Sequence, residues 1–239
     1  AAVEMRERLA ALGVPGVQAR TFHSAALRQL QYFWPSAIGG SMPPLIEHKA
    51  SLISAAAARI GLRADKALVR DLAAEVEWSK VSMLDADAYA EAVRTNRRTP
   101  PGDLSVDDVL ALMDAYQEAK EDRGVLDFED VLVLTAGILQ DYPAIAQRIH
   151  RQYRSFVVDE YQDVSALQHH VLNLWLGGRH DICVVGDVAQ TIYSFAGASP
   201  RYLQDFAQEH KGARVVQLVR DYRSTPQIVS AANTLMKGE

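Results

Sequence analysis

Phe156-Val157-Val158-Asp159-Glu160-Tyr161-Gln162-Asp163 decides the fold. Its apolar, β-branched start reads as a short strand, and two adjacent carboxylates stand at the strand's carboxyl end. A second run, Ile182-Cys183-Val184-Val185, ends at Gly186-Asp187. A third, Val215-Val216-Gln217-Leu218-Val219, ends at Arg220-Asp221. The first two are each followed by a helical segment. Strands alternating with helices predict an α/β fold with a parallel sheet. Ligands of such sheets sit at the carboxyl ends of the strands, where both acidic motifs fall.

Upstream of this region the pattern is helical. Ala1–Leu9 reads as a helix without a capping residue before it, and Gly13, Pro15 and Gly16 break it. Ala19–Phe22 suggests a short strand or its end, followed by a helix from about Ser24 to Phe33. The Pro and Gly residues between Pro35 and Pro44 mark a boundary. From Leu45 to Gln117 the chain reads as almost wholly helical, with amphipathic segments at Ile46–Ile60, Asp65–Lys80, Asp85–Thr95 and Ser105–Arg123. Ser105 with Asp108 resembles a capping box. Asp127-Phe128 opens a further helix reaching about Gln140.

The 239 residues are 49% hydrophobic and 23% charged, the composition of an ordinary globular protein. The net charge of −5 counts against nonspecific coating of nucleic acid but leaves a local groove open. The single cysteine, Cys183, excludes an internal disulfide, and its apolar setting predicts a buried structural thiol. No apolar stretch approaches a membrane span and no signal peptide is visible, which predicts a cytoplasmic protein without a membrane partner.

Three strings carry the chemistry. In the first, Asp159 suits a magnesium ion and Glu160 suits a base that takes a proton from water; taken alone, the pair reads more readily as solvated loop acids. The second runs from Gly186-Asp187 through Gln190 to Tyr193, Phe195 and Gly197-Ala198. Gln190 can bond a terminal phosphate or an attacking water, and Tyr193 and Phe195 offer faces for stacked bases. In isolation those rings read as core. In the third, Asp221-Tyr222-Arg223-Ser224, the arginine suits a γ-phosphate and the tyrosine an adenine ring, against a plain surface arginine beside a helix cap.

In order and spacing these strings resemble the motifs of UvrD/PcrA/Rep-type superfamily 1 DNA helicases. Asp159-Glu160-Tyr161-Gln162-Asp163 resembles the family's Walker B motif. Gly186 through Ala198 is similar to motif III, and Asp221-Tyr222-Arg223-Ser224 to motif IV. Thr21-Phe22-His23-Ser24 resembles motif Ib, and Ala1-Ala2-Val3-Glu4-Met5 the tail of motif Ia. Leu126-Asp127-Phe128-Glu129-Asp130 is similar to the segment that re-enters the motor domain after its helical insertion.

The resemblance implies an incomplete RecA-like P-loop NTPase domain with an all-helical insertion domain. Its parts would be residues 1–40 and 121–219 of the first RecA-like domain, the insertion at 41–120, and the opening of the second RecA-like domain at 220–239. It implies ATP and Mg²⁺ as cofactors, and single-stranded DNA and duplex junctions as partners. The activity implied is 3′–5′ translocation or unwinding in DNA repair or replication restart. By the same resemblance Asp159 holds Mg²⁺, Glu160 is the catalytic base, Gln190 and Arg223 sense the γ-phosphate, and Tyr222 stacks on adenine. Thr21, His23, Tyr193 and Phe195 meet the nucleic acid. Ala196 stands where many relatives carry Arg, and Asp221 where Asn is common. None of the 14 glycines lies in a Gly-x-x-x-x-Gly-Lys-Ser/Thr string, so the expectation is a fragment inactive by itself. The alternatives are the motor of a RecB/AddA-like helicase–nuclease and a non-catalytic DNA-binding or regulatory module.

Smaller features read more simply. Arg94, Arg97 and Arg98 form a solvated helix end or meet phosphates. His169-His170 lacks partners at metal-ligand spacing. Trp34, Trp78 and Trp175 read as packing residues.

Overall fold

A computed structural model describes residues 2–14, 16–218 and 224–236. The chain divides into two units, Ala1–Gln204 and Asp205–Glu239.

In the first unit, helices α1 (Ala2–Ala11) and α2 (Phe22–Ala37) precede a helical block. Thr21 has extended backbone and caps α2, its Oγ1 accepting from Ser24 N at 3.2 Å, so Ala19–Phe22 holds no strand. The block contains α3 (Ala50–Arg59), α4 (Lys66–Val81), α5 (Ala86–Arg94) and α6 (Val106–Arg123). Three of these starts are fixed by side-chain caps. Asp65 accepts from Leu68 N at 2.8 Å and Asp85 from Ala88 N at 2.8 Å. Ser105 and Asp108 form the reciprocal box expected from sequence. Each such cap contributes roughly 1 kcal/mol.

One apolar core joins α3, α4 and α6. Leu52, Ile53, Ala56 and Ala57 meet Val69, Leu72 and Val76, and both sets meet Leu112, Ala115, Tyr116 and Ala119. The alanines keep the facing surfaces of α3 and α6 small, so the larger side chains fill the space between them. Helix α3 begins at Ala50 rather than Ile46 because the preceding residues are engaged elsewhere. Leu45 forms a parallel bridge with Leu126, with Ile46 N donating to Leu126 O at 2.8 Å and Leu126 N to Pro44 O at 3.0 Å. The chain therefore leaves for the block and returns from it side by side.

Four buried or half-buried charges join the block to the returning segment. Lys80 of α4 contacts Asp127 at 2.7 Å and Asp130 at 2.8 Å, and Lys120 of α6 contacts them at 3.1 and 2.5 Å. Tyr116 Oη donates to Asp127 at 3.0 Å. Asp127 and Asp130 also accept from each other's backbone N–H, which starts α7 (Asp130–Asp141). Burial would raise the Asp127 carboxyl, but Lys80 and Lys120 outweigh it and hold it well below the usual carboxylate range. Burial would likewise lower Lys80, but Asp127 and Asp130 push it up to about 12. The cluster is neutral as a set, which is how charge survives in such a place.

Beyond α7 lie α8 (Pro143–Gln152), β1 (Phe156–Val158), α9 (Ala166–Leu176), β2 (Ile182–Val184) and α10 (Arg201–Gln204). Strands β1 and β2 pair in parallel, Phe156 with Ile182, Val157 with Cys183 and Val158 with Val184. Helix α9 is the crossover between them. Its Trp175 ring stacks on Phe22 at 5.9 Å and on Phe156 at 6.2 Å, and its Nε1 donates to Gln29 at 2.8 Å. That stack ties α2, α9 and β1 together.

Alternation along the two strands puts Val158 inside and turns Val157 and Cys183 outward. Cys183 is thus exposed rather than buried, since its face of the sheet carries no covering layer among the described residues. The second unit contains α11 (Phe206–Glu209) and α12 (Pro226–Met236). The third expected strand is absent over Val215–Leu218. Val215, Val216 and Leu218 are exposed there and pair with no strand among the described residues, and Val219 lies outside the described residues. No helix among the described residues is long and apolar enough to cross a membrane.

Candidate functional site

The carboxyl ends of β1 and β2 meet through one buried side chain, Gln162. Its Nε2 donates to Glu160 Oε2 at 2.8 Å, and its Oε1 accepts from Asp187 N at 3.0 Å. The backbone repeats the link: Val185 N donates to Val158 O at 2.8 Å, and Tyr161 N to Val185 O at 2.9 Å. Only glycine fits at 186. A Cβ there would lie 2.5 Å from Gln162 Oε1 and 3.1 Å from Tyr161 N. The acidic end of one strand is thereby held against the loop that leaves the other.

Asp159 and Glu160 are both exposed at this joint. Glu160 has φ 53° and ψ 43°, a left-handed conformation that costs a residue with a Cβ on the order of 1 kcal/mol. Strain of this kind clusters where a side chain must be aimed. Asp163 Oδ1 is buried without a hydrogen-bond partner, and Tyr161 Oη contacts His169 Nδ1 at 3.1 Å. His169 also stacks on Tyr202, so it has a packing role.

Asp187 organises the next loop. Its Oδ1 accepts from Ala189 N at 3.0 Å and its Oδ2 from Gln190 Nε2 at 2.9 Å. Gln190 is exposed and lies one hydrogen bond from Asp187, which Gln162 connects to Glu160. Asp159, Glu160 and Gln190 thus share one edge of the molecule. Farther along, Tyr193 and Phe195 are 50% and 71% exposed, with ring centroids 6.3 Å apart. Neither is core, contrary to the reading of those rings in isolation; the loop carries them past the last layer of packing.

Thr21 and His23 stand on the first turn of α2. Thr21 is exposed and serves as the helix cap. The His23 ring stacks on Phe128 at 3.8 Å, with its Nε2 buried and unpartnered. Burial, and after it the charge of Lys49, lowers the His23 pKa to about 4, so the ring is neutral near pH 7. Among the described residues neither Thr21 nor His23 shares a hydrogen bond or ring contact with the acidic pair. Tyr222 and Arg223, with Asp221, lie outside the described residues.

Several residues acquire roles that the sequence did not reveal. Arg98 is neither a solvated helix end nor free for phosphate. It forms a 2.6 Å ion pair with buried Glu75 and lies 4.2 Å from the Trp78 ring centroid. Gln162 is the connector between the two strand ends. Lys80 and Lys120 anchor the helical block, and a signal for Lys120 existed: it follows Leu112 and Tyr116 at four-residue spacing, on the buried stripe of α6.

The arrangement can do limited chemistry by itself. Two exposed carboxylates at a strand end suit one Mg²⁺ ion, which takes one or two carboxylates and fills its other positions with water and phosphate oxygens. Among the described residues no group of three His, Cys, Asp or Glu side chains is placed to hold a metal alone.

Acids at the ends of two paired parallel strands, followed by a loop bearing Gln and two exposed rings, make up the candidate site of a mostly helical chain. The chain belongs to the UvrD/REP helicase N-terminal domain family, whose model matches residues 1–211. It is 48% identical over 248 residues to the ATP-dependent DNA helicase UvrD2 of Mycobacterium tuberculosis, covering 99% of this chain and 35% of that protein. It is 32% identical over 254 residues to the ATP-dependent DNA helicase UvrD1 of Mycobacterium leprae, covering 99% of this chain and 32% of the relative. A putative ATP-dependent DNA helicase of Bacillus subtilis, YjcD, is 29% identical over 59% of this chain and 19% of its own length. The chain spans about a third of the length of the curated relatives it matches along its whole length.

Proposed function

We propose that this chain is the part of an ATP-driven DNA helicase that carries the hydrolytic acids and a DNA-facing loop. In this reading residues 1–40 and 121–219 belong to the first RecA-like domain, 41–120 form a helical insertion, and 220–239 open the second RecA-like domain. The parent moves 3′ to 5′ on single-stranded DNA, engages duplex junctions, and serves DNA repair or replication restart. The observation that carries the reading is the Glu160–Gln162–Asp187 linkage, which binds the acidic strand end to the loop bearing Gln190, Tyr193 and Phe195. Such a link gives the two halves of an ATP-to-DNA coupling one rigid joint.

The roles follow from placement and chemistry. Asp159 would hold Mg²⁺, which supplies charge neutralisation to the phosphates when bound. The Glu160 carboxylate accepts the proton of the attacking water. Gln190 and Arg223 respond to the γ-phosphate, and Tyr222 stacks on the adenine. Tyr193 and Phe195 carry bases, and Thr21 and His23 border the strand. His23 takes part through its ring edge and backbone rather than as a cation, because its ring is neutral and already stacked on Phe128.

The 239 residues contain no Gly-x-x-x-x-Gly-Lys-Ser/Thr string, so their own phosphate cradle is poor. The chain alone therefore binds ATP weakly and does not turn it over. In a full-length helicase carrying this chain, Glu160→Gln keeps ATP binding and lowers turnover by about 10²-fold or more. Steady-state turnover within about threefold of the parent would remove Glu160 from the role. Micromolar ATP binding by the 239-residue chain in calorimetry would show that other residues cradle the phosphates.

A further inference from the structure

The loop that bears Tyr193 and Phe195 is fastened at two places. One is the segment after β1: Ser199 N donates to Val164 O at 3.1 Å, and Ala198 bridges Ser165. The other is the last turn of α4, in the helical block. Gly197 has φ +92°, and a Cβ on it would lie 2.7 Å from Val81 Cγ2, 3.3 Å from Ser82 Oγ and 3.8 Å from Trp78 Cδ1. The loop backbone thus rests directly on Val81, with no room for a side chain between them.

The two rings cannot orient themselves by burial, since both are exposed. Their direction must come from the backbone anchors. The α4 turn is a braced support. Lys80 is held by Asp127 and Asp130, Trp78 is covered by Arg98 and meets Tyr89 edge-on, and buried Glu75 binds both Arg98 and Tyr89. Val81 and Ser82, with the edge of the Trp78 ring, form the surface that meets the loop at Gly197.

We infer that the C-terminal turn of α4, through Val81, is a positioning element for the Tyr193–Phe195 pair and so for the single-stranded nucleic acid the pair engages. Val81 touches no nucleic acid in this scheme; it sets the height and tilt of the loop that does. The inference rests on the reading of the two rings as base platforms given above. It also gives the helical block a part in strand binding beyond its own surface.

The test is binding of fluorescein-labelled oligo(dT) to the 239-residue chain by anisotropy, with far-UV circular dichroism on every variant. Val81→Leu overfills the contact and displaces the loop, and weakens binding roughly fivefold, a partial loss of stacking. Val81→Thr keeps the shape and binds like the parent. Tyr193→Ala/Phe195→Ala weakens binding at least as much, and adding Val81→Leu to it causes no further loss. If Val81→Leu fails to fold, Val81→Ala, which leaves a gap under Gly197, replaces it with the same expectation.

The outcomes separate the two claims. Absent binding by the parent chain, or unchanged binding by Tyr193→Ala/Phe195→Ala, overturns the reading of the rings themselves. Ring variants that weaken binding while Val81→Leu and Val81→Ala do not would overturn the positioning role alone. A Val81→Leu loss that persists in the ring-less background would do the same, because the effect would then bypass the rings.

Discussion

Replacing Lys120 by Met tests whether the charged joint between the helical block and the returning segment is electrostatic or merely packed. Lys120 is 1% exposed, and its ammonium lies 2.5 Å from Asp130 and 3.1 Å from Asp127. Methionine fills nearly the same volume, so the change is chiefly one of charge. At an effective dielectric of about 20, each lost attraction is on the order of 5 kcal/mol. Lys120 no longer has to be desolvated and no longer repels Lys80, which offsets much of that. The net expectation is a loss of about 3–5 kcal/mol, typical of an ion cluster left with an unpaired buried charge.

The variant should also acquire a distinctive pH dependence. With one ammonium between two carboxylates, a folded-state carboxyl rises above its unfolded value of roughly 4. The folded variant then binds an extra proton, and its stability falls as pH rises through that window. Urea unfolding followed by circular dichroism at pH 8 and pH 5 should therefore show the larger deficit, relative to the parent, at pH 8. Adding Asp130→Asn should recover stability. A deficit under about 1 kcal/mol at pH 8, or an equal deficit at both pH values, would refute the electrostatic account.

Two further outcomes follow from local geometry. Met83 sits at φ 56° just past α4, where Leu84 N donates back to Ser79 O at 3.1 Å, a helix ending that favours glycine. Met83→Gly should stabilise the chain by roughly 0.5–1 kcal/mol, and Met83→Val should destabilise it, both read from urea midpoints. The His23 pKa is depressed from 6.5 to about 4, so stability should be full above about pH 6.5 and decline as pH falls toward 4. Allowing for the half-exposed ring, that decline is about 1–2 kcal/mol. It should vanish in His23→Phe; a melting temperature that falls equally in both proteins between pH 7 and pH 5 would assign it to other groups.

The parts of the fold legible in sequence were those fixed by local chemistry. Phe156–Val158 and Ile182–Val184 are strands where β-branched runs end in turn residues, and Ser105–Asp108 is a capping box because the two side chains need only each other. Helix α8 carries only slight signs in sequence, Pro143 at its first position and Ile145 and Ile149 four apart. Val215–Leu218 has strand composition but pairs with no strand among the described residues, and pairing lies outside any local window of sequence. Cys183 is exposed against expectation for the same reason: an apolar neighbourhood in sequence says nothing of which sheet face lacks a cover. At the candidate site, the paired acids and the aromatic loop stand out in the sequence itself. The Gln162 bridge and the Arg98–Glu75 pair do not, because each depends on residues brought together by the finished fold.

The parallel bridge between Leu45 and Leu126 bears on how such a chain can change over evolutionary time. Because departure and return are hydrogen-bonded neighbours at 2.8 and 3.0 Å, the excursion between them is a closed loop with its ends pinned. Loop-closure entropy grows only slowly with length, so the excursion can gain or lose helices at small thermodynamic expense and without shifting β1. Such pinned ends would let the excursion be exchanged as a unit. The exchange carries two conditions: whatever replaces α4 and α6 must deliver two ammonium groups to Asp127 and Asp130, or those acids must change with it, and it must keep a surface under Gly197.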